Sequence, residues 1–258
     1  MNSLQVRSPL TAIMSALPEE QQDLLDRLEN PQRQNVAGRD FWLGHLQGHF
    51  LILGLSRIGK VSASLTAAIL ISHFGASRIV FTGVAGGLGP GVKVGDVVVG
   101  QDFIQHDLDA SPLFPRYEVP LYGRSLFRCD PALTALLAGA TRRALGADGA
   151  AASPLVAGAR VHSGLIASGD RFVASAAESG ALQASLRKAG HEALAVEMEG
   201  AAVAQVCADY SLPFAAIRTI SDRADDTAHV DFPRFVKEVA SQYALTIINE
   251  LLQSLPPA

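Results

Sequence analysis

The chain of 258 residues is poor in cysteine, in charge and in aromatic rings. Its two cysteines, Cys129 and Cys207, lie far apart and outside any CxxC spacing, which excludes a disulfide-stapled miniprotein and a cysteine zinc site. A reducing setting, the cytoplasm, is the expected localisation. Charged residues make up only 18%, and 21 Lys+Arg against 25 Asp+Glu leave a net charge of −4. The basic excess that grips a phosphate backbone is missing, so nucleic acid is not an expected partner. Apolar stretches break before the ~18 uninterrupted residues of a membrane span. Residues 1–9 carry Arg7 and no preceding apolar run, so neither a membrane nor a signal peptide is expected.

What the chain does have is hydrophobic matter, 48% of it, with a mean hydropathy of +0.22. That composition excludes disorder, and a chain of this length buries about three-quarters of its surface. Sparse charge then leaves two readings: a lean globule rich in Ala and Gly, or a subunit whose weakly charged face a partner covers.

Short apolar runs alternate with helical ones. Residues 10–17 read as a buried strand, after which Pro18 suits the first turn of a helix, with Glu19 and Glu20 at its positive end. Residues 41–46 and 50–55, around Gly48, look like a hairpin; a helix is expected at 59–73 and strands at 78–82 and 96–103. Pro131 opens a helix to 145; strands at 164–167, 193–196 and 214–220 alternate with helices at 176–188 and 200–210. A last helix over 232–252 carries apolar residues at i, i+3, i+4 and i+7 from Phe232 to Leu252. No linker divides the chain. The pattern predicts one α/β domain over residues 1–258, a three-layer α/β/α sandwich around a central mixed sheet.

Three short motifs fail. Residues 54–60, GLSRIGK, match a phosphate-cradling loop until Val61 replaces the hydroxyl that should hold magnesium, so a turn entering a helix is the better reading. The glycine-rich run 83–91 has no GxGxxG and is followed by strand residues; it is either a tight connection or a place where backbone approaches a small ligand. His106, Asp107 and Asp109 lack a second ligand cluster, so a solvated loop is expected there and no metal.

Three acidic segments fall at the ends of predicted strands, where α/β sheets collect ligands: ALPEE at 16–20, AVEMEG at 195–200 and RTISDRADD at 218–226. With SRIGKVSA from Ser56, TGVAGGLGPGVKVGDVVV from Thr82, HDLD from His106 and GLIASGDRFV from Gly164, they make an ordered series. In that series the chain resembles the 5′-methylthioadenosine/S-adenosylhomocysteine nucleosidases of the purine nucleoside phosphorylase-like family, from Ala12 to about Leu252. The resemblance implies the nucleoside phosphorylase/hydrolase type of α/β sandwich. It also implies hydrolysis of 5′-methylthioadenosine, S-adenosylhomocysteine and 5′-deoxyadenosine to adenine and the 5′-substituted ribose, in methionine salvage and recycling of S-adenosylmethionine by-products, with water as co-substrate and no cofactor.

It implies residue roles as well. Glu20 is the general base for the attacking water and Asp222 the acid that protonates N7 of adenine. Glu199 holds the ribose hydroxyls, with Met198 against the sugar. Phe172 stacks on adenine and the Val173 backbone reads its edge, while Ile58, Arg218 and Phe232 take further pocket positions. The chemistry explains the choice of acids. Breaking an N-glycosidic bond leaves positive charge on ribose and negative charge on the purine, so a proton donor belongs at the base and anionic character near the sugar. The two acids then need separated pKa values.

One departure stands out: Val84 occupies a place where many relatives carry Ser or Thr, removing a hydroxyl near the water or ribose. Leu17 for a frequent Met is a milder, volume-conserving change. A phosphorylase on the same fold needs several arginines around the glycine-rich loop, whereas only Arg57 is close in sequence to any candidate loop, and Glu20 would repel phosphate. A futalosine-type nucleosidase and a non-catalytic nucleoside-binding module are further alternatives; the three acids together speak against the second. The resemblance finally implies a homodimer, in which a neighbour's apolar segment at 110–122 closes the 5′ end of the pocket.

Overall fold

The computed structural model describes residues 9–146 and 158–255. In chain order its first elements are β1 (Thr11–Ser15), α1 (Pro18–Asp26), β2 (Glu29–Val36), β3 (Arg39–Leu46), β4 (His49–Leu55), α2 (Lys60–Ser72), β5 (Arg78–Phe81), β6 (Val84–Gly87), β7 (Val97–Gln105) and β8 (Leu126–Arg128). Then come α3 (Pro131–Gly146), β9 (Val161–Ser168), α4 (Ala176–Lys188), β10 (Ala193–Glu197), α5 (Gly200–Asp209), β11 (Phe214–Asp222), α6 (Ala228–Phe235), a π-helical turn (Val236–Ala240) and α7 (Ser241–Leu252).

The central strands β1, β5 and β11 are buried almost throughout because both faces of the sheet are covered there. Successive side chains point to opposite faces. Ile13, Leu51, Leu53, Val80 and Ile217 therefore join α1, α3 and α7 in one core. Their neighbours Ala12, Met14, Ile52, Phe81 and Ala216 join α2 and α5 in the other. This is the expected three-layer arrangement. Strand order is β2-β3-β4-β1-β5-β11-β6-β10-β9-β7-β8, and β11 also pairs with β7. One half of the sheet consequently curls into a closed ring, β11-β6-β10-β9-β7, with parallel and antiparallel pairs mixed. β11 is the hinge of this design: it is buried along its whole length, pairing with β5 at its start and with β6 and β7 farther on.

Two sequence expectations are corrected here, and one strand is added that the sequence reading did not include. Residues 84–87 within the glycine-rich run form strand β6 of the closed ring rather than a loop. The polar segment ENPQRQNV, which carries no apolar alternation, forms the exposed edge strand β2; its register with β3 slips between Glu29 and Gln32, where Pro31 has no N–H to give. The terminal helix is not continuous: a π-helical turn separates α6 from α7. The buried positions Phe235/Val236, Val239/Ala240, Tyr243/Ala244, Ile247/Ile248 and Leu251/Leu252 recur every fourth residue. An α-helix of 3.6 residues per turn drifts by roughly 40° over such a repeat, and a wider π turn takes up part of the drift.

Candidate active site

The C-terminal ends of β1, β10 and β11 carry the three acids. Leaving β1, the chain turns at Leu17, and Pro18 opens α1 with its preset backbone angle. Glu20, third in the helix, folds back under this turn: Oε2 accepts the N–H groups of Ala16 (2.7 Å) and Leu17 (2.9 Å), and Oε1 accepts that of Val84 (3.0 Å). The carboxyl is 2% exposed. A Cβ at Gly83 would sit 3.2 Å from Glu20 Oε1, so this close approach is possible because residue 83 has no side chain. Burial pushes the Glu20 carboxyl up, while the three amides and the nearby Arg218 charge pull it back down; the net direction is up.

Asp222 ends β11 where the register with β6 slips, Ile220 opposing Ala85 and Asp222 opposing Gly86. Such an irregularity re-aims a side chain. Asp222 Oδ1 accepts the Ala224 N–H (2.8 Å) and Oδ2 the Ser221 hydroxyl (2.8 Å). Burial raises its carboxyl above the ordinary range, helped by Asp225 and Asp231 and opposed by those two donors.

Glu199 starts α5, and its Oε1 accepts the Gly59 N–H (2.8 Å) from the loop before α2. Burial, then the neighbouring Glu197 charge, pushes its carboxyl up to about 8, against the Gly59 donor and Arg218. Met198 beside it is half-buried. Val173 is buried with Leu88, Val196 and Ala224, and the Phe172 ring meets Phe232 of α6 edge-on at 5.5 Å. Ile58 and Phe172 are exposed.

Arg218 is as deeply buried as the acids around it. Its guanidinium is 1% exposed and turned into the protein: Nε and Nη2 donate to Glu197 Oε2 (3.2 and 2.7 Å), Nη1 to the carbonyls of Phe81 and Ile217, and the group lies 4.1 Å from the Phe81 ring centre. It works from beneath, as the positive charge facing Glu20 and Glu199. Its partner Glu197 had no role in the sequence reading. Glu197 also accepts the N–H groups of Glu199 and Gly200 and the Ser168 hydroxyl, anchoring the start of α5 and thereby the loop bearing Glu199. The visible signal was the doubled acid of EME at the end of a buried strand, which needs an internal cation. The Val84 side chain, for its part, packs into the core while its backbone serves Glu20.

In the 106–109 segment the expectation of a solvated loop is corrected at His106, whose Nε2 is buried without a partner directly behind Gly169; Asp107 is exposed and pairs with Lys60. Burial lowers the His106 pKa, which favours the neutral ring. Asp109 does lie in an exposed turn, capping Ser111. Among the described residues no group of three or more His, Cys, Asp or Glu is placed to hold a metal.

The family model of the phosphorylase superfamily matches residues 11–253. The chain is 34% identical over 244 residues to the 5′-methylthioadenosine/S-adenosylhomocysteine nucleosidase of Bacillus thuringiensis (strain Al Hakam), covering 93% of this chain and 98% of that one. Its structure matches the nucleosidase of the same name from Neisseria meningitidis, crystallised with methylthio-immucillin-A, with a TM-score of 0.85 and 35% identity over 96% of this chain and 100% of that one. It also matches the futalosine hydrolase of Helicobacter pylori, with a TM-score of 0.82 and 30% identity over 96% and 98%.

Proposed function

The chain belongs to the phosphorylase superfamily and, within it, to the 5′-methylthioadenosine/S-adenosylhomocysteine nucleosidases, and from that premise we propose that it hydrolyses the N-glycosidic bond of these two nucleosides, and of 5′-deoxyadenosine, to adenine and the 5′-substituted ribose. The observation that carries the reading is the different surroundings of two buried, raised carboxyls: three backbone amides at Glu20, one amide and one hydroxyl with two further acids near by at Asp222. Glu20 sits in a cradle of three amide donors, which favours a carboxylate; Oε1 keeps an acceptor direction for a water. Asp222 is desolvated and beside other acids, which favours the proton it would deliver to N7. General acid–base cleavage needs one group to take a proton and the other to give one, each transfer being worth roughly 10²- to 10⁴-fold in rate.

Glu20 packs on Gly83 and Asp222 on Gly86. Glu199 and Met198 lie at the sugar, Phe172 and Val173 at the base, and Ile58 and Phe232 toward the 5′ end. Phosphate is disfavoured as nucleophile: the Glu20 charge covers Gly83 and Val84, and the nearby Arg57 turns away to the Gly38 carbonyl (2.6 Å).

Adenine release measured with and without phosphate tests the reading. Release from 5′-methylthioadenosine without phosphate, and loss of about 10²-fold or more in kcat on Asp222→Asn, are expected. Sugar 1-phosphate as product, or preferential turnover of futalosine, overturns it. The products place the enzyme in methionine salvage and in clearing S-adenosylmethionine by-products, a cytoplasmic task. Exposed Val61 and Leu65 of α2, together with Leu113, Leu121 and Tyr122, support a homodimer in which the neighbour's 110–122 segment closes the 5′ end.

A further inference from the structure

Helix α2 begins without a cap of its own. Its N-cap residue is Gly59, held at φ +93°, a conformation that L side chains rarely adopt. The first helical amide, that of Lys60, is instead accepted by Asp170 Oδ1 at 2.8 Å, from a loop 110 residues farther along the chain. This contact is one side of a closed ring. The Asp170 N–H donates to Asp107 Oδ2 (2.8 Å), and Asp107 Oδ1 receives the Lys60 ammonium (2.5 Å), which also reaches Gln105 Oε1 (3.1 Å). Burial works against the Asp107 charge, yet Lys60 and the Asp170 amide hold its carboxyl below the usual range.

The ring joins two halves of the proposed nucleoside site. Gly59, one residue before the capped amide, donates to Glu199 Oε1. Phe172 and Val173 follow Asp170 by two and three residues. A Cβ on Gly59 would meet Asp170 Oδ1 at 3.2 Å, so a side chain at residue 59 would crowd the carboxylate that caps the helix. We propose that Asp170 is a positioning residue: by capping α2 in trans it holds the Gly59 amide on the ribose carboxylate Glu199 and keeps the adenine-facing segment 172–173 in register with it. Asp170 acts through its contacts with Lys60 and Asp107. Its effect is to make the grip on ribose depend on the placement of the adenine loop.

The proposal rests on the nucleoside reading of the site, and two measurements separate the two. In the Asp222→Asn protein, expected to bind without turnover, calorimetry with 5′-methylthioadenosine should show Kd rising about 10-fold on adding Asp170→Ala, the scale of one charged hydrogen bond. Asp170→Asn keeps the Oδ1 acceptor and should stay within about twofold. Amide hydrogen exchange, which needs no ligand, should show the Gly59 N–H accelerated in Asp170→Ala and unchanged in Asp170→Asn. An unchanged Gly59 amide in the alanine variant, or equal losses in both variants, overturns the latch. Absence of nucleoside binding in every variant, with the exchange pattern as expected, overturns the functional reading and leaves the latch standing.

Discussion

At the scale of single residues, the site is a problem in buried charge. Glu20, Glu197, Glu199 and Asp222 are all buried, with Arg218 the buried cation among them. Arg218 neutralises Glu197 directly, leaving Glu199 with a carboxyl raised to about 8. The sign of the linkage follows. A carboxyl that binds its proton more tightly in the folded chain adds stability at low pH, and that stability is lost as pH rises from its ordinary 4.5 through about 8. Glu199→Gln keeps an acceptor for the Gly59 amide and removes the charge. Its melting temperature relative to wild type should therefore rise steadily between pH 5 and pH 8 while turnover falls; a difference independent of pH contradicts the assignment. The acids themselves were legible because each closes a strand in an ordered motif. The burial of Arg218 was not, since nothing local distinguishes an arginine facing a ligand from one facing a second acid.

At the scale of elements, strand ends and helix starts do the positioning, and glycines permit it. The slip between β11 and β6 turns Asp222 toward the site, and Gly86 lies against it: a Cβ there would come within 2.9 Å of Ala224 Cβ and 3.0 Å of Asp222 Oδ1. Gly86→Ala must displace the segment whose amide holds Asp222. We expect about 1–3 kcal/mol of lost stability, the usual scale of overpacking, and at least a tenfold fall in kcat, read by thermal melts and initial rates. A variant with normal kcat shows that Asp222 tolerates the shift. The elements with strong periodicity, β1, α2, α5, β11 and α7, were readable from apolar spacing. β2 was not, because an edge strand facing solvent on both sides has no pattern to show. The π turn was hidden in the four-residue recurrence, which resembles ordinary helical spacing when counted only as i, i+3 and i+4.

At the scale of the whole molecule, the sparse charge returns as a surface question. Leu113 is 84% exposed and Leu121 92%, in the segment expected to cover a neighbouring pocket. Light scattering should give twice the chain mass for the wild type, and Leu121→Asp should lower that mass and raise KM for the 5′-substituted nucleosides. A monomeric wild type with full activity overturns the shared pocket. The sequence by itself determined the α/β class, the two apolar faces, the three acids at strand ends and the chemistry they suit, because periodicity and residue type are local properties. Tertiary structure alone decided which amides converge on Glu20, that Arg218 serves Glu197 from below, and that β6, paired with β11, sets Val84 against Glu20 and Gly86 against Asp222. Those depend on contacts across the fold, 64 positions apart for the Val84 amide on Glu20 and 21 for Arg218 on Glu197, where the direction of a buried donor is set by the partner it finds.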